Sequence, residues 1–198
     1  MNRETLKYMI LASLMTALMI VGAYIRVPVG PVPFVLTNMF VLLSGLLLGP
    51  KWGTASVALY VFLGLAGLPV FSGGGGPGYF AGPTGGYLAG YLPAAAVTGL
   101  IAPRSRAIVG GKGAAGVTVL TILALASGVA VIYAFGIPWL KLVLDMSWTK
   151  AIAAGFLPFI LGDAIKAAAA VGIKISVDRF LPHFLPDRTK EGTRYGES

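Results

Sequence analysis

Two ionisable side chains three residues apart, Asp163 and Lys166 in "PFILGDAIKAAAA", are the sharpest chemical feature of this sequence. If a helix starts at Pro158, that spacing sets carboxylate and ammonium on neighbouring turns of one face. The stretch around them is apolar or small, so both charges fall within a segment made for lipid. There an ionised group is costly, faces the bundle interior and needs a partner. Two pairings are open. The groups can satisfy each other and lock the helix, although such a self-contained pair is replaceable by apolar residues at little cost. Alternatively, each engages a polar ligand that itself carries a carboxylate, Asp163 accepting from a head group's N–H and Lys166 meeting the anion. Ala167 to Ala170 then permit close helix contact below the site.

The elements that must position this pair follow from composition. Of 198 residues, 57% are hydrophobic and only 11% charged, with mean hydropathy +0.84, which marks an integral membrane protein. Six apolar segments, at 6–25, 34–48, 53–68, 85–101, 114–137 and 158–177, predict an all-α fold of six transmembrane helices. Several fall short of the about 20 residues that span hydrocarbon, so connections buried in protein must extend them. Each run is continuous rather than alternating, which excludes a strand barrel. The first has no cleavage-site pattern and is expected to remain in the mature chain. With the N-terminus inside, the inner side collects Arg3, Lys7, Lys51, Arg104, Arg106, Lys112, Lys174, Arg179, Arg188, Lys190 and Arg194. The outer side has only Arg26, Lys141 and Lys150. Both termini are therefore expected in the cytoplasm. The chain reads as one membrane domain, 1–198, in which 179–198 is a charged cytoplasmic tail. The net charge of +8 follows this topology rather than a nucleic-acid-binding patch. Cysteine is absent, so no thiolate nucleophile, thiolate metal site or disulfide exists.

One segment fits neither helix nor strand. "FSGGGGPGYFAGPTGGY", from Phe71 to Tyr87, has eight glycines, two prolines and no charge, and the topology places it outside, between the third and fourth helices. Lipid cannot satisfy its backbone. Glycine lets a chain pass close to a bound molecule, so the stretch reads either as an aromatic-bearing lid over an outward-facing cavity or as a flexible outer loop. It lacks the Gly-Lys-Ser/Thr ending of a phosphate loop. Three outer helix ends, "GPVPFVLTN", "GLPVFSGG" and "GFLPFILGD", each bring Pro and Phe together. Proline at a first turn explains each singly. Together with Thr37 and Asn38 one turn further in, they predict an aromatic pocket with a few hydrogen-bonding groups. Between the last two spans, "IPWLKLVLDMSWTKAIAAG" is too charged to cross and is expected as a short helix at the outer interface.

In this order and at these separations, "GPVPFVLTN", "GLPVFSGG", "AGPTGGYLAGY" and "PFILGDAIK" resemble the signatures of the BioY family, the biotin-specific S components of energy-coupling factor (ECF) transporters. The resemblance runs over nearly the whole chain and weakens after Val177. It implies a six-helix subunit that takes biotin from outside and passes it inward in complex with a scaffold transmembrane subunit and two ABC-type ATPases. By the same resemblance Asp163 faces the ureido ring and Lys166 the valerate carboxylate, while Tyr87, Gly73 and Gly74 line the pocket. Phe34, Phe71, Thr37 and Asn38 complete the expected site.

On helix one, "ILASLMTALM" sets Ala12 four residues before Thr16, and Ser13 four before Ala17. This small-xxx-small spacing permits close helix approach, and internal packing explains it equally well. The resemblance makes Ala12, Ser13, Thr16 and Ala17 the docking surface for the scaffold subunit. The sequence has no ATP-binding motif, so hydrolysis falls to partners, and no cofactor or metal is expected. A membrane-embedded enzyme needs a nucleophile, base or metal set that one intramembrane carboxylate, one intramembrane lysine and a tail histidine, His183, do not supply. The remaining alternatives are an S component for a different vitamin and a stand-alone secondary biotin carrier.

Overall fold

The computed structural model describes residues 3–103 and 114–180. The predicted inner-side residues Arg104, Arg106 and Lys112, and the tail from 181 onward with His183, lie outside them. Helix α1 (Arg3–Tyr24) leads through a small antiparallel ladder, β1 (Arg26–Val27) with β2 (Phe34–Val35), into α2 (Thr37–Leu65). A four-residue helix, α3 (Pro77–Phe80), lies within the connection to α4 (Gly85–Ile101). Helices α5 (Ala114–Val143) and α6 (Trp148–Gly155), a 3₁₀ turn (Leu157–Phe159) and α7 (Ile160–Phe180) follow. Among the described residues, four helical stretches are long and apolar enough to cross a membrane: Arg3–Tyr24, Thr37–Leu65, Gly116–Val143 and Trp148–Phe180. The apolar α4 is shorter, at 17 residues.

Helix α2 is not straight. Gly49 takes φ 81°, ψ 179° and is followed by Pro50, a residue pair that breaks a helix because proline removes a donor and glycine admits a left-handed φ. In a straight helix residues eight apart lie roughly 12 Å from one another. Here a Cβ built on Gly53 would come within 2.7 Å of the Gly45 Cα, and the Ser44 hydroxyl donates to the Gly53 carbonyl at 3.3 Å. The element is therefore a hairpin whose two limbs run side by side, matching the segments 34–48 and 53–68. Tyr60 near the far end of one limb lies within hydrogen-bonding reach of Thr37 at the start of the other. Close approach continues across the bundle: a Cβ on Gly45 would lie 2.3 Å from the Ala95 carbonyl of α4.

The outside of this bundle inverts a soluble protein. Leu161, Ile165 and Phe62 are 74%, 64% and 66% exposed, apolar area that water would disfavour by about 2 kcal/mol per side chain and that a bilayer accepts. The interior is Val41, Leu46, Val57, Tyr60 and Ile132, all within a per cent of full burial.

Most irregular structure gathers at the end where α1 stops. Leu36 donates to the Gly22 carbonyl at 3.1 Å, tying β2 to α1. The expected short helix before the last span is α6, capped by Ser147, but the helix before it runs further than the sequence implies. Helix α5 continues through Pro138 to Val143, so Trp139 and Lys141 belong to it. Trp139 Nε1 then donates to the Gly82 carbonyl at 2.9 Å, holding the glycine segment against α5.

Candidate ligand-binding site

Pro158 falls in the 3₁₀ turn and α7 begins two residues later, so Asp163 and Lys166 occupy its first two turns. Their side chains are 10% and 6% exposed and pair at 3.0 Å between Lys166 Nζ and Asp163 Oδ1. Of the two pairings left open by the sequence, mutual contact is present. It is not the whole environment. Asp163 Oδ2 also accepts from the Tyr133 hydroxyl of α5, and Lys166 Nζ stands 3.6 Å from the centre of the Phe34 ring, a cation over an aromatic face. Phe34 in turn stacks on Phe159 with centroids 6.3 Å apart and rings 2° from parallel. A side chain at 162 would push on this stack, since a Cβ there would lie 2.2 Å from the Phe34 ring.

Lys166 forms part of the wall of a cavity of about 40 Å³. Of the residues predicted for the site, Phe34, Thr37, Asn38, Phe71 and Tyr87 line it as well. Asp163 reaches it through its contact with Lys166 and lines a neighbouring void with Asn38 and Lys166. Some polar groups already have partners: the Thr37 hydroxyl donates to the Met19 carbonyl at 3.1 Å, Tyr87 to the Gly155 carbonyl at 2.9 Å, and Asn38 Oδ1 accepts from Tyr91. These bonds fix the walls in place.

Gly73 and Gly74 are not among the residues lining this cavity. Their φ angles of 151° and 157° shape the cover, as the Phe71 N–H bonds the Gly74 carbonyl at 3.0 Å in a tight reversal. That reversal drives Phe71 inward to 2% exposure, edge-on to Tyr60 and stacked on Tyr79, each at 5.4 Å. The segment is thus packed over the cavity, the first of its two readings.

Sequence reasoning missed the tyrosines. Tyr60, Tyr79, Tyr91 and Tyr133 all line the cavity, and Tyr133 donates to the Asp163 carboxylate. A buried Asp needing a second donor was the available signal, but nothing identified which hydroxyl would supply it.

The four small residues of α1 divide. Ala12 and Thr16 are buried, at 7% and 3%, and the Thr16 hydroxyl donates to the Ser56 carbonyl across 2.8 Å, so this pair packs α1 on the second limb of α2. They are not a docking surface. Ser13 and Ala17, one position on, are exposed.

A larger concavity, about 1160 Å³, opens between α5, α6 and α7. Its walls are aliphatic and aromatic apart from Tyr133, Asp163 and the Trp148 indole, and among the described residues no cation lines it. That chemistry suits lipid tails. The small cavity instead presents an ammonium, hydroxyls and stacked rings, chemistry that would suit an anionic, partly apolar molecule.

The match to known proteins is extensive. A model of the BioY family fits residues 1–183. The chain is 42% identical over 178 residues to the biotin transporter BioY of Thermotoga maritima, spanning 88% of this chain and 97% of that relative. To the probable biotin transporter BioY of Pyrococcus horikoshii it is 43% identical over 162 residues, spanning 81% and 90%. A crystal structure at 2.1 Å of the S-component for biotin from an ECF-type ABC transporter superposes with a TM-score of 0.78 at 32% identity, covering 90% of this chain and 94% of that one. These relatives carry the same name across nearly their whole lengths, and the arrangement of helices agrees with the solved fold: the chain belongs to the BioY family.

Proposed function

We propose that the chain is the biotin-binding S component of an ECF-type vitamin transporter, a single membrane domain that crosses the bilayer six times with both termini in the cytoplasm. Counting the α2 hairpin as two crossings supports six. The Lys/Arg distribution supports the orientation, which sets the glycine segment and the cavity at the outer surface. Relatives of the chain are transporters rather than enzymes. Uptake then depends on a scaffold transmembrane subunit and two ABC-type ATPases, because the sequence carries no nucleotide-binding motif.

The observation that carries this reading is the buried Lys166 ammonium at the wall of a tyrosine-lined cavity, with Asp163 3.0 Å away. Biotin matches that wall in kind. Its carboxylate suits the ammonium, its apolar bicycle suits Phe34, Phe71 and the tyrosines, and, once the ligand has opened the Asp163–Lys166 pair, its ureido group offers two N–H donors to Asp163. A volume of about 40 Å³ lies well below the roughly 300 Å³ at which ligand pockets begin. Binding must therefore displace part of the wall, and Gly73, Gly74 and Phe71 in the cover are the parts best placed to move. Docking of the scaffold subunit is assigned to Ser13 and Ala17 on the open face of α1.

Calorimetry of the purified protein against biotin, thiamine and riboflavin tests the reading. Biotin alone is expected to bind tightly. Binding of either other vitamin in its place, or of none, would overturn the assignment.

A further inference from the structure

Above the small cavity lies an open vestibule of about 630 Å³. Pro33, Ser72, Tyr79 and Thr84 line both spaces, so these residues are the partition between them. The two spaces have matching electrostatics. Lys166 is the single charged residue lining the lower one and Arg26 the single charged residue lining the upper one, among the described residues. Arg26 is exposed and stands on β1, directly after α1.

Its guanidinium is also attached to the partition, donating to the Ser72 carbonyl and approaching Gly73 so closely that a Cβ there would lie 2.9 Å from a terminal nitrogen. Ser72 presents two faces: its carbonyl holds Arg26, while its buried hydroxyl has no hydrogen-bond partner among the described residues. A guanidinium has five donors, so one bond to a neutral carbonyl leaves most of its capacity for an anion. A carboxylate is also the stronger acceptor, since a charge-assisted bond is about twice as strong as a neutral one.

We propose that the vestibule is an outer binding site for the ligand's carboxylate, with Arg26 as its anion-binding residue, occupied before the acid is handed through the partition to Lys166. The inference rests on the biotin reading above and adds a second, transient subsite to it. A carboxylate entering the vestibule meets Arg26 first and competes with the Ser72 carbonyl for it. Capture of the ligand and loosening of the partition are thereby one event.

The test compares association rates of radiolabelled biotin and its neutral methyl ester by rapid mixing and filtration, on the full chain in nanodiscs, for the unaltered protein, R26Q and R26K. Because Arg26 is exposed, its attraction is screened by salt. Biotin is expected to associate about tenfold faster than the ester at low salt, the gap closing as salt rises past a few hundred millimolar. R26Q should remove the gap and its salt dependence while still binding the ester, and R26K should keep both. A purely structural clamp at Arg26 would alter both ligands alike. The inference is overturned if R26Q keeps a salt-sensitive preference for the acid, or if the unaltered protein binds biotin with no rate preference over the ester. Failure of the unaltered protein to bind biotin at equilibrium would instead refute the proposed function, and this inference with it.

Discussion

Helix α7 carries two buried ion pairs, and they are built for different ends. Asp163 and Lys166, three residues apart near its start, pair at 3.0 Å; Lys174 and Asp178, four apart near its finish, pair in turn and are 6% and 1% exposed. By burial alone they are equivalent. They differ in what surrounds them. The first pair has Tyr133 on its carboxylate, a Phe34 ring under its ammonium and a cavity at its side. Among the described residues the second pair's hydrogen bond is to itself, and the cavities described above end at Ala170 and Val171. Burying a charge within a bundle therefore does not make a binding site. What sets the first pair apart is residual hydrogen-bonding capacity facing an enclosed space.

The contrast breaks if the two pairs respond alike to truncation. Lys174→Met should give the largest effect on stability, about 3–5 kcal/mol, because it strands a buried carboxylate, yet the folded fraction should bind biotin normally. Adding Asp178→Leu should recover most of that loss. Thermal unfolding in detergent alongside biotin titration measures both, and lost biotin affinity in the folded double variant would dissolve the distinction. At the other pair Lys166→Ala should weaken biotin binding by about 2–4 kcal/mol and the methyl ester much less; equal losses would remove the carboxylate role from Lys166. A smaller effect sharpens the role of the surroundings. Tyr133→Phe takes one donor from Asp163 and should cost about 1 kcal/mol of affinity for acid and ester alike, read by calorimetry. Ala17→Trp touches neither pair and should leave biotin affinity unchanged while abolishing co-purification with the scaffold subunit. Normal assembly with that variant would move the docking surface elsewhere.

Much of this is legible in the amino-acid sequence. The apolar runs located the helices, with "LGPKWG" separating the two limbs of α2, and the spacing of Asp163 and Lys166 was enough to place them on one face. Phe34 and Phe71 were reachable because Pro and Gly mark the helix ends that bear them, and Tyr87 through the family resemblance. Tyr60, Tyr91 and Tyr133, on α2, α4 and α5, were not. In a membrane bundle both the lipid side and the core side of a helix are apolar, so the periodicity that tells inside from outside in a soluble helix is flattened. The same flatness hid which of two overlapping small-residue pairs on α1 faces inward: Ala12 and Thr16 do, through a hydroxyl bond to Ser56 that spacing cannot reveal. The β1–β2 ladder was also invisible, being two residues per strand among prolines.

The indole of Trp139 ends its hydrogen bond on Gly82, inside the glycine segment, whereas Trp52 is stacked on Tyr8 and Trp148 is exposed beside Lys141. One chromophore of three is thus wired to the part expected to shift. A variant keeping Trp139 as its sole tryptophan would carry its own optical gauge, its emission changing when the vitamin enters and recovering when it leaves, with no label attached.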